Sequence, residues 1–165
     1  MPETSPIRPT DDEARALARE LISKARFGAL GVLEPQTDMP MVSRISVSTT
    51  AQGIPLSLIS DLSHHTQALK ADARCSLLVG EPGSKGDPLT HPRITLQCEA
   101  RFITRTDDTF ATLRARYLSS HPKAQLYIDF ADFNFVELRP GVAHLNGGFG
   151  KAFTLTPSDL GLAMD

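Results

Sequence analysis

The chain has 165 residues, of which 41% are hydrophobic and 22% are charged, and its formal net charge is −2 at pH 7. This length and composition are typical of one globular domain with its own apolar core. The balanced charge, with no Lys/Arg cluster, excludes a basic nucleic-acid footprint, and no apolar run approaches the roughly 20 residues of a membrane helix.

The N-terminal segment MPETSPIRPTDDEARALARE has neither the basic start nor the apolar core of a signal peptide. We therefore expect a cytoplasmic protein. Residues 1–10 are rich in proline and are expected to form a flexible arm. Thr10 and Glu13 have the spacing of a capping box, and apolar residues then recur at helical spacing, which predicts a helix over residues 11–26.

The remaining elements follow from hydrophobic periodicity and from the positions of glycine and proline. Strands are predicted over residues 27–34, 41–49, 54–60, 74–80, 93–105, 133–139, 142–146 and 151–156. Helices are predicted over residues 63–72 and from about 107 to 120, with a further helical turn at 124–128. Because Ala51-Gln52-Gly53 is a short connection, the second and third strands should pair as an antiparallel hairpin.

Glycine, proline and acidic residues mark particular points in these elements. Gly28 and Gly31 indicate a bend or a close backbone approach in the first strand. Asp107 and Asp108 are expected in the first turn of their helix, where carboxylates complement the helix dipole. Pro140-Gly141 is expected to separate two strands, and the loop EPGSKGDPLTHP (81–92) has the length of a binding loop or lid.

This pattern predicts a mainly β protein with one domain over residues 11–156 and a C-terminal tail over 157–165. These extended segments have short connections and are expected to combine into a barrel of six or seven antiparallel strands, with helices packed outside it. Cys75 and Cys98 each lie within an apolar run and lack a CxxC or metal-ligand spacing, so they are predicted to be buried reduced thiols. No metal site is predicted.

Polar residues in the segment 41–70 have the chemistry to hold one anionic group. A phosphate needs positive charge and several donors, which an arginine fork and the free amides of a helix start supply. The residues that can converge are Arg44, Ser60, His65, Thr66 and Lys70. The alternative is that Arg44 and Lys70 are solvated surface charges. No acid/base pair accompanies these residues, so no catalytic residue is assigned.

A resemblance gives this pattern a function. SRISVS and LISDLSHHTQALKADARCSLLVGEPG resemble the flavin-binding core of the pyridoxamine 5′-phosphate oxidase-like split-barrel superfamily. The segments RYLSSHPKAQLYIDFADFNFVELRP and HLNGGFGKAF are similar to later blocks of its haem-utilisation branch. The resemblance covers residues from about 12 to 155 and implies a homodimer of split antiparallel barrels with FMN at the subunit interface.

The resemblance also implies which residues contact the flavin. The matching positions are Arg44, Ile45, Ser46, Val47, Ser60, Asp61, His65, Thr66, Lys70 and Arg93. Arg44 matches the arginine that binds the phosphate, and residues 45–47 match the strand backbone beside the isoalloxazine ring. His65 and Thr66 match positions where the oxidase has an Arg-Lys pair, and Lys70 can replace that charge from one turn later. Arg93 aligns near a glutamine that the oxidase contributes across the dimer.

Three functions are compatible with this resemblance. The first is an FMN-dependent oxidoreductase that acts on an unidentified small molecule. The second is a haem-binding or haem-degrading protein, and the third is a flavin-binding barrel without turnover. The oxidase's C-terminal arginine-and-histidine block is not found, and no histidine follows His144, where the haem-degrading relatives carry an iron ligand. FMN is therefore the expected cofactor, with haem as the alternative.

Two further features remain open at the level of sequence. Asn146–Lys151 contains three glycines but lacks the spacing of a P-loop, so it is either a turn in which glycines take positive φ or a wall near the flavin. Phe130, Phe133 and Phe135 form a dense aromatic cluster, which together with the small barrel favours a homodimer. His144 is expected to pack or form a hydrogen bond within its strand.

Overall fold

The computed structural model describes residues 5–163. The helices are α1 (Asp12–Lys24), α2 (His64–Ala71) and α3 (Phe110–Ser120). The strands are β1 (Phe27–Leu33), β2 (Pro40–Ser46), β3 (Ser48–Thr49), β4 (Pro55–Ser60), β5 (Arg74–Val79), β6 (Arg93–Ile103), β7 (Phe133–Asn146) and β8 (Ala152–Leu155). Short 3-10 turns cover Pro88–Thr90 and Pro122–Leu126.

The eight described strands form one antiparallel sheet in the order β2-β1-β5-β6-β7-β4-β3, and β8 pairs with β7. β2 and β3 stand at opposite ends of this order, yet only Val47 separates them in the chain. The sheet must therefore curl until its ends meet, and Ser57 Oγ on β4 donates to the Ser46 carbonyl at 2.6 Å across this join. The predicted mainly β split barrel is confirmed, with eight strands rather than six or seven.

The barrel interior is filled by the larger of two apolar cores. α1 contributes Ala14, Ala18 and Ile22, and their small or branched side chains let the helix pack closely against the strands. α2 contributes Ala68 and Leu69 to the same core. Burial of these side chains removes apolar area from water at about 25 cal/mol per Å², so α1 and α2 are held mainly by packing.

A second apolar core lies outside the barrel, between α3 and the β4–β7 part of the sheet. Phe110 and Tyr117 of α3 pack there against Phe135, with ring centroids 5.1 Å and 5.5 Å away. β4 faces both cores, because Leu58 belongs to the outer one and Ile59 to the inner one. This explains why PLSLIS is a nearly continuous buried run rather than an alternating one.

Two predicted helix starts are displaced, one by a single residue and the other by three. The N-cap of α1 is Asp11 rather than Thr10, because the Asp11 carboxylate accepts from the Ala14 N–H at 2.8 Å. α3 begins at Phe110, so Asp107 precedes the helix instead of lying in its first turn. There the Asp107 carboxylate accepts from the Thr109 N–H at 2.9 Å and organises the turn before the helix.

Two predicted strand arrangements also differ from the structure. The strand expected over 41–49 is divided at Val47, and its first part pairs with β1. Only Ser48–Thr49 forms the expected hairpin with β4. Pro140-Gly141 does not end a strand, because β7 continues through it with a bulge: Gln97 pairs with Val142 and Cys98 with Pro140, which leaves Gly141 as the extra residue of β7.

The described parts of both terminal segments contact the domain. Ile7 forms a parallel bridge with Ala152 of β8. Beyond β8, Leu160 is buried in the inner core, and Asp159 accepts from Arg15 of α1 at 2.8 Å. Among residues 5–163, no helix is both long and apolar enough to cross a membrane.

Candidate functional site

Arg44 lies on the outer face of β2 at the rim of a cleft with a volume of about 390 Å³. Its guanidinium carbon lies 5.7 Å from the centroid of the Phe27 ring, a cation–π distance. Leu78 and Pro82 also line this cleft. Arg44 is exposed and has no hydrogen bond or ion pair with the other described residues, so its five donors are available to an anion.

Two glycines that line the Arg44 cleft lie where the backbones of neighbouring strands approach closely. A Cβ on Gly28 would lie 2.8 Å from the Leu78 carbonyl oxygen, which is the close backbone approach predicted for this strand. A Cβ on Gly31 would lie 3.8 Å from the nearest atom, an ordinary contact, so the prediction is wrong for that glycine. Gly80 has φ +109°, and a Cβ there would lie 2.7 Å from Arg93 Cα. Larger residues at Gly28 and Gly80 would force β1, β5 and β6 apart at the cleft.

Arg93 therefore lies next to the cleft, but its side chain is engaged elsewhere. Arg93 Nη1 donates to the Leu89 carbonyl at 3.0 Å and so holds the 81–92 loop against β6. This loop also contacts the glycine turn after β7, since a Cβ on Gly148 would lie 3.2 Å from the Thr90 carbonyl oxygen. Gly148 and Gly150 have φ of +125° and +72°, as the turn interpretation of this segment requires.

Residues 45–47 form the join of the barrel, and their polar groups are largely used within the protein. Ile45 and Val47 are buried in the inner core. The Val47 N–H donates to the Arg26 carbonyl at 2.8 Å, and the Val47 carbonyl lies 2.8 Å from His121 Nε2. Ser46 Oγ forms a hydrogen bond with the Tyr117 hydroxyl.

The start of α2 carries two buried polar atoms without a partner among the described residues. They are His65 Nε2 and Thr66 Oγ1. His65 Nδ1 lies 3.1 Å from Ser43 Oγ on β2, which ties the helix start to the strand that carries Arg44. Burial lowers the pKa of His65, so the imidazole is neutral at pH 7. An unpaired buried polar atom costs roughly 1–3 kcal/mol, which makes this helix start a candidate binding position.

Ser60, Asp61 and Lys70 form a separate polar network at the end of β4. Lys70 Nζ donates to Asp61 Oδ1 at 3.0 Å, and Ser60 Oγ donates to Asp132 Oδ2 at 2.6 Å. Asn134 on β7 donates to Asp61 at 3.4 Å. Lys70 is thus paired with a carboxylate of its own chain and does not leave its charge free in the way that Arg44 does.

The predicted site residues consequently fall into groups that do not bond to one another. Arg44 and Arg93 lie at the cleft, His65 is linked to it through Ser43, and Ser60, Asp61 and Lys70 form their own network. Thr66 lies in the interior and is 1% exposed. The position of each residue on its element was predictable, but the partner of each side chain was not.

A broad trough on the outer face of the sheet was not identified from the sequence. It has a volume of about 1020 Å³ and crosses β1, β5, β6 and β7. Small or polar residues line its middle, and Gly31, Ser76, Gln97 and Val142 follow one another across the four strands. In the sequence these residues alternate with buried apolar residues. This alternation predicts that they lie on the outward face of the sheet, but it does not predict that the face is concave.

His144 lies two residues beyond Val142 on the same outer face. It pairs with Thr95 of β6, which in turn pairs with Leu78 of β5. The imidazole is exposed and has no hydrogen bond or ion pair within residues 5–163. The His144 side chain therefore forms no hydrogen bond of the expected kind within residues 5–163.

Comparison with known proteins adds a family and several relatives. A family model described as CREG, beta-barrel matches residues 9–160. The non-canonical heme oxygenase HOZ, chloroplastic, of Arabidopsis thaliana is 36% identical over 115 residues, which are 69% of this chain and 34% of that protein. The match thus spans about a third of the curated relative's length.

Solved structures share the fold over nearly the whole chain. A heme binding protein from Mycobacterium smegmatis has a TM-score of 0.81 at 28% identity, covering 94% of this chain and 61% of that one. Atu2129 from Agrobacterium tumefaciens, of unknown function, has a TM-score of 0.80 at 31% identity, covering 95% and 65%. A general stress protein 26 relative from Clostridium acetobutylicum, of the pyridoxinephosphate oxidase family, has a TM-score of 0.68 at 11% identity, covering 92% and 99%.

Proposed function

The chain belongs to the CREG β-barrel family, whose fold is the pyridoxamine 5′-phosphate oxidase-like split barrel, and we propose that it is a haem-binding protein. The observation that carries the proposal is the 36% identity over 115 residues to a protein named as a heme oxygenase. The similarity to the mycobacterial heme binding protein points the same way. These relatives support haem more directly than FMN, the reverse of the order expected from the sequence.

The described residues fit a haem group in their donor chemistry. Haem binding requires an apolar surface for the ring, a ligand for the iron and cations for the propionates. The outer face carries exposed Leu78 and Val142, an unpaired imidazole at His144 and an unpaired guanidinium at Arg44. Bound haem supplies an iron centre and its redox chemistry, while these residues hold and orient the ring.

FMN is the second candidate, and an FMN-dependent oxidoreductase acting on a small molecule is the activity that would follow. Two observations favour it: the unpaired Arg44 guanidinium and the unpaired polar atoms of His65 and Thr66 at the start of α2. Arginine and a helix start are suitable partners for a phosphate monoester. A flavin-binding barrel without turnover uses the same contacts.

We also propose that the protein is a homodimer that pairs through the outer trough. The trough is lined by Gly31, Gln97 and Val142 and is open to solvent in the single chain. Its lining includes both Arg101 and Glu99, so the same surface on two copies can match opposite charges about a two-fold axis. A ligand on the adjacent outer face would then lie at the subunit interface.

An absorbance spectrum separates the two cofactors. Protein purified from cells grown with a haem precursor is expected to show a Soret band, and the pyridine haemochrome assay gives the amount of haem per chain. Free flavin released by heat and measured by fluorescence is the parallel assay for FMN. A flavin spectrum with no Soret band, also after incubation with haemin, would refute the haem proposal.

A further inference from the structure

We infer that His144 supplies the imidazole that binds the haem iron. This inference rests on the proposed haem-binding function and adds the residue on which that function depends. An iron-binding imidazole must present one ring nitrogen that is free of protein partners, and it must lie beside an apolar surface for the porphyrin ring. The five histidines of the chain differ sharply in these respects.

Two of the five imidazoles are used to hold backbone segments. His91 Nδ1 accepts from the Gly83 N–H at 3.1 Å, and its Nε2 lies 2.6 Å from the Lys85 carbonyl oxygen. His121 Nε2 lies 2.8 Å from the Val47 carbonyl oxygen, at the join of the barrel. Binding iron through these nitrogens would break contacts that fix the 81–92 loop or the β2–β3 connection.

His65 and His64 are unsuitable for different reasons. His65 Nε2 has no partner but is buried, and its Nδ1 lies 3.1 Å from Ser43 Oγ, so a porphyrin cannot approach it without displacing α2. His64 is accessible, with 85% of its side chain exposed, but its Nδ1 lies 3.7 Å from the Glu34 carboxylate. It stands at the first position of α2 beside a charged group rather than on an apolar surface.

His144 meets both requirements. Its side chain is exposed on the outer face of β7 and makes no polar contact with the other described residues. Val142, two residues away on the same face, is 38% exposed, and Leu78, two strands away in the same cross-strand row, is 42% exposed. These side chains give an apolar floor on two sides of the imidazole.

The neighbours of His144 on the adjacent strands are hydroxyl residues. Thr95 of β6 and Thr154 of β8 stand directly opposite it, and directly opposed residues have Cβ atoms about 4.5–5.5 Å apart. A ligating histidine usually donates its second ring N–H to an oxygen that fixes the ring. The residue paired with His144 on each neighbouring strand therefore carries a hydroxyl that can accept this N–H, although neither hydroxyl bonds to the imidazole among the described contacts.

The test is haemin binding by the full chain and by two matched variants, followed through the Soret band and resonance Raman spectra. Wild type is expected to bind haemin with an imidazole–iron signature. His144→Ala is expected to lose that signature and at least about tenfold in affinity, as disturbed metal sites commonly do. Free imidazole should restore the wild-type spectrum of His144→Ala. His64→Ala, the control, should match wild type in spectrum and affinity.

The outcomes distinguish this inference from the proposed function. If wild type binds haemin and His144→Ala keeps the same spectrum and affinity, His144 is not the ligand, although haem binding stands. If wild type binds no haemin, the proposed function and this inference are both refuted. Circular dichroism and thermal unfolding of each variant check that the exposed substitution leaves the fold unchanged.

Discussion

The guanidinium of Arg44 lies over the face of the Phe27 ring, 5.7 Å from its centroid, and has no carboxylate partner among the described residues. β1 and β2 place the two side chains at neighbouring positions, because Ala29 pairs with Arg44 and Phe27 with Ser46. The ring holds the guanidinium at the rim of the cleft without neutralising its charge. Arg44 is therefore kept available for an anionic group of a ligand.

Replacement of Arg44 is expected to weaken ligand binding. If the guanidinium holds a propionate or a phosphate through charge-assisted hydrogen bonds, Arg44→Ala should cost roughly 2–3 kcal/mol, or about 30- to 150-fold in Kd. Arg44→Lys should recover part of this loss, because an ammonium keeps the charge but not the fork. Absorbance or fluorescence titration measures the effect.

Arg114 provides the matched control for Arg44. It lies on α3, pairs with Asp129 at 2.7 Å and lines neither the Arg44 cleft nor the outer trough. Arg114→Ala should leave ligand affinity unchanged and change stability little, because solvent-exposed ion pairs contribute little to stability. An Arg44→Ala protein that stays folded and binds ligand as tightly as Arg114→Ala would contradict the role of Arg44.

Lys70 and Thr66 illustrate what could and could not be predicted from the sequence at the site. The residue types and the helix that carries them were predictable, because helical periodicity and capping are local signals. The Lys70–Asp61 ion pair and the burial of Thr66 depend on how α2 packs against distant strands. A sequence pattern fixes which residues share a helix face but not which neighbour that face meets.

Val47 illustrates the same limit in the fold. The alternation from Met41 to Thr49 correctly predicts extended backbone. Nothing in that alternation states that the first part pairs with β1 and the last two residues with β4. Strand pairing is a non-local choice set by closure of the barrel, whereas strand formation is set by local alternation. The outer trough was missed for this reason too.

Gln97 provides a test of the proposed dimer. It is exposed on the outer face and lines the trough beside Val142. Light scattering of wild type should give about twice the chain mass of 17.9 kDa. Gln97→Arg adds bulk and like charge on both sides of a two-fold interface, so it should shift the protein toward a monomer.

The control for Gln97 is Leu126→Arg, which changes a residue that is 80% exposed next to α3 and away from the trough. This variant should remain dimeric. Wild type that scatters as a monomer across the micromolar range would refute the dimer. If Gln97→Arg and Leu126→Arg both scatter as dimers, the interface does not include the trough at Gln97.

Tyr117 is expected to make stability fall at high pH. Its side chain is 0% exposed, and burial raises its pKa to about 12, above the ordinary value of 10.0. Between these values the unfolded chain loses the phenolic proton while the folded chain keeps it, so the free energy of unfolding decreases as pH rises. Urea unfolding at pH 8 and pH 11 measures this decrease.

Tyr117→Phe should remove this part of the pH dependence and cost about 1 kcal/mol at pH 8 through loss of the hydrogen bond to Ser46. The account of Tyr117 fails if its phenylalanine variant loses stability between pH 8 and pH 11 as steeply as wild type does.

The two cysteines are expected to be unreactive in the folded protein. Cys75 and Cys98 are free, buried and directly opposite each other on β5 and β6, as the prediction of buried reduced thiols required. Burial raises the pKa of Cys75 to about 12 and that of Cys98 further, so neither thiolate forms near pH 8. Ellman's reagent should react slowly with native protein and with both thiols in denaturant. Rapid reaction of either native thiol would contradict this.

Equilibrium titration of the wild-type chain with haemin and with FMN tests the central claim most directly. The account predicts a saturable Soret shift with haemin at one haem per chain, with a Kd well below that for FMN. If FMN binds, its fluorescence should be quenched by the protein. Haemin should prevent this quenching if both ligands contact Arg44. Tight FMN binding without a saturable Soret change would contradict the account and establish the flavin alternative.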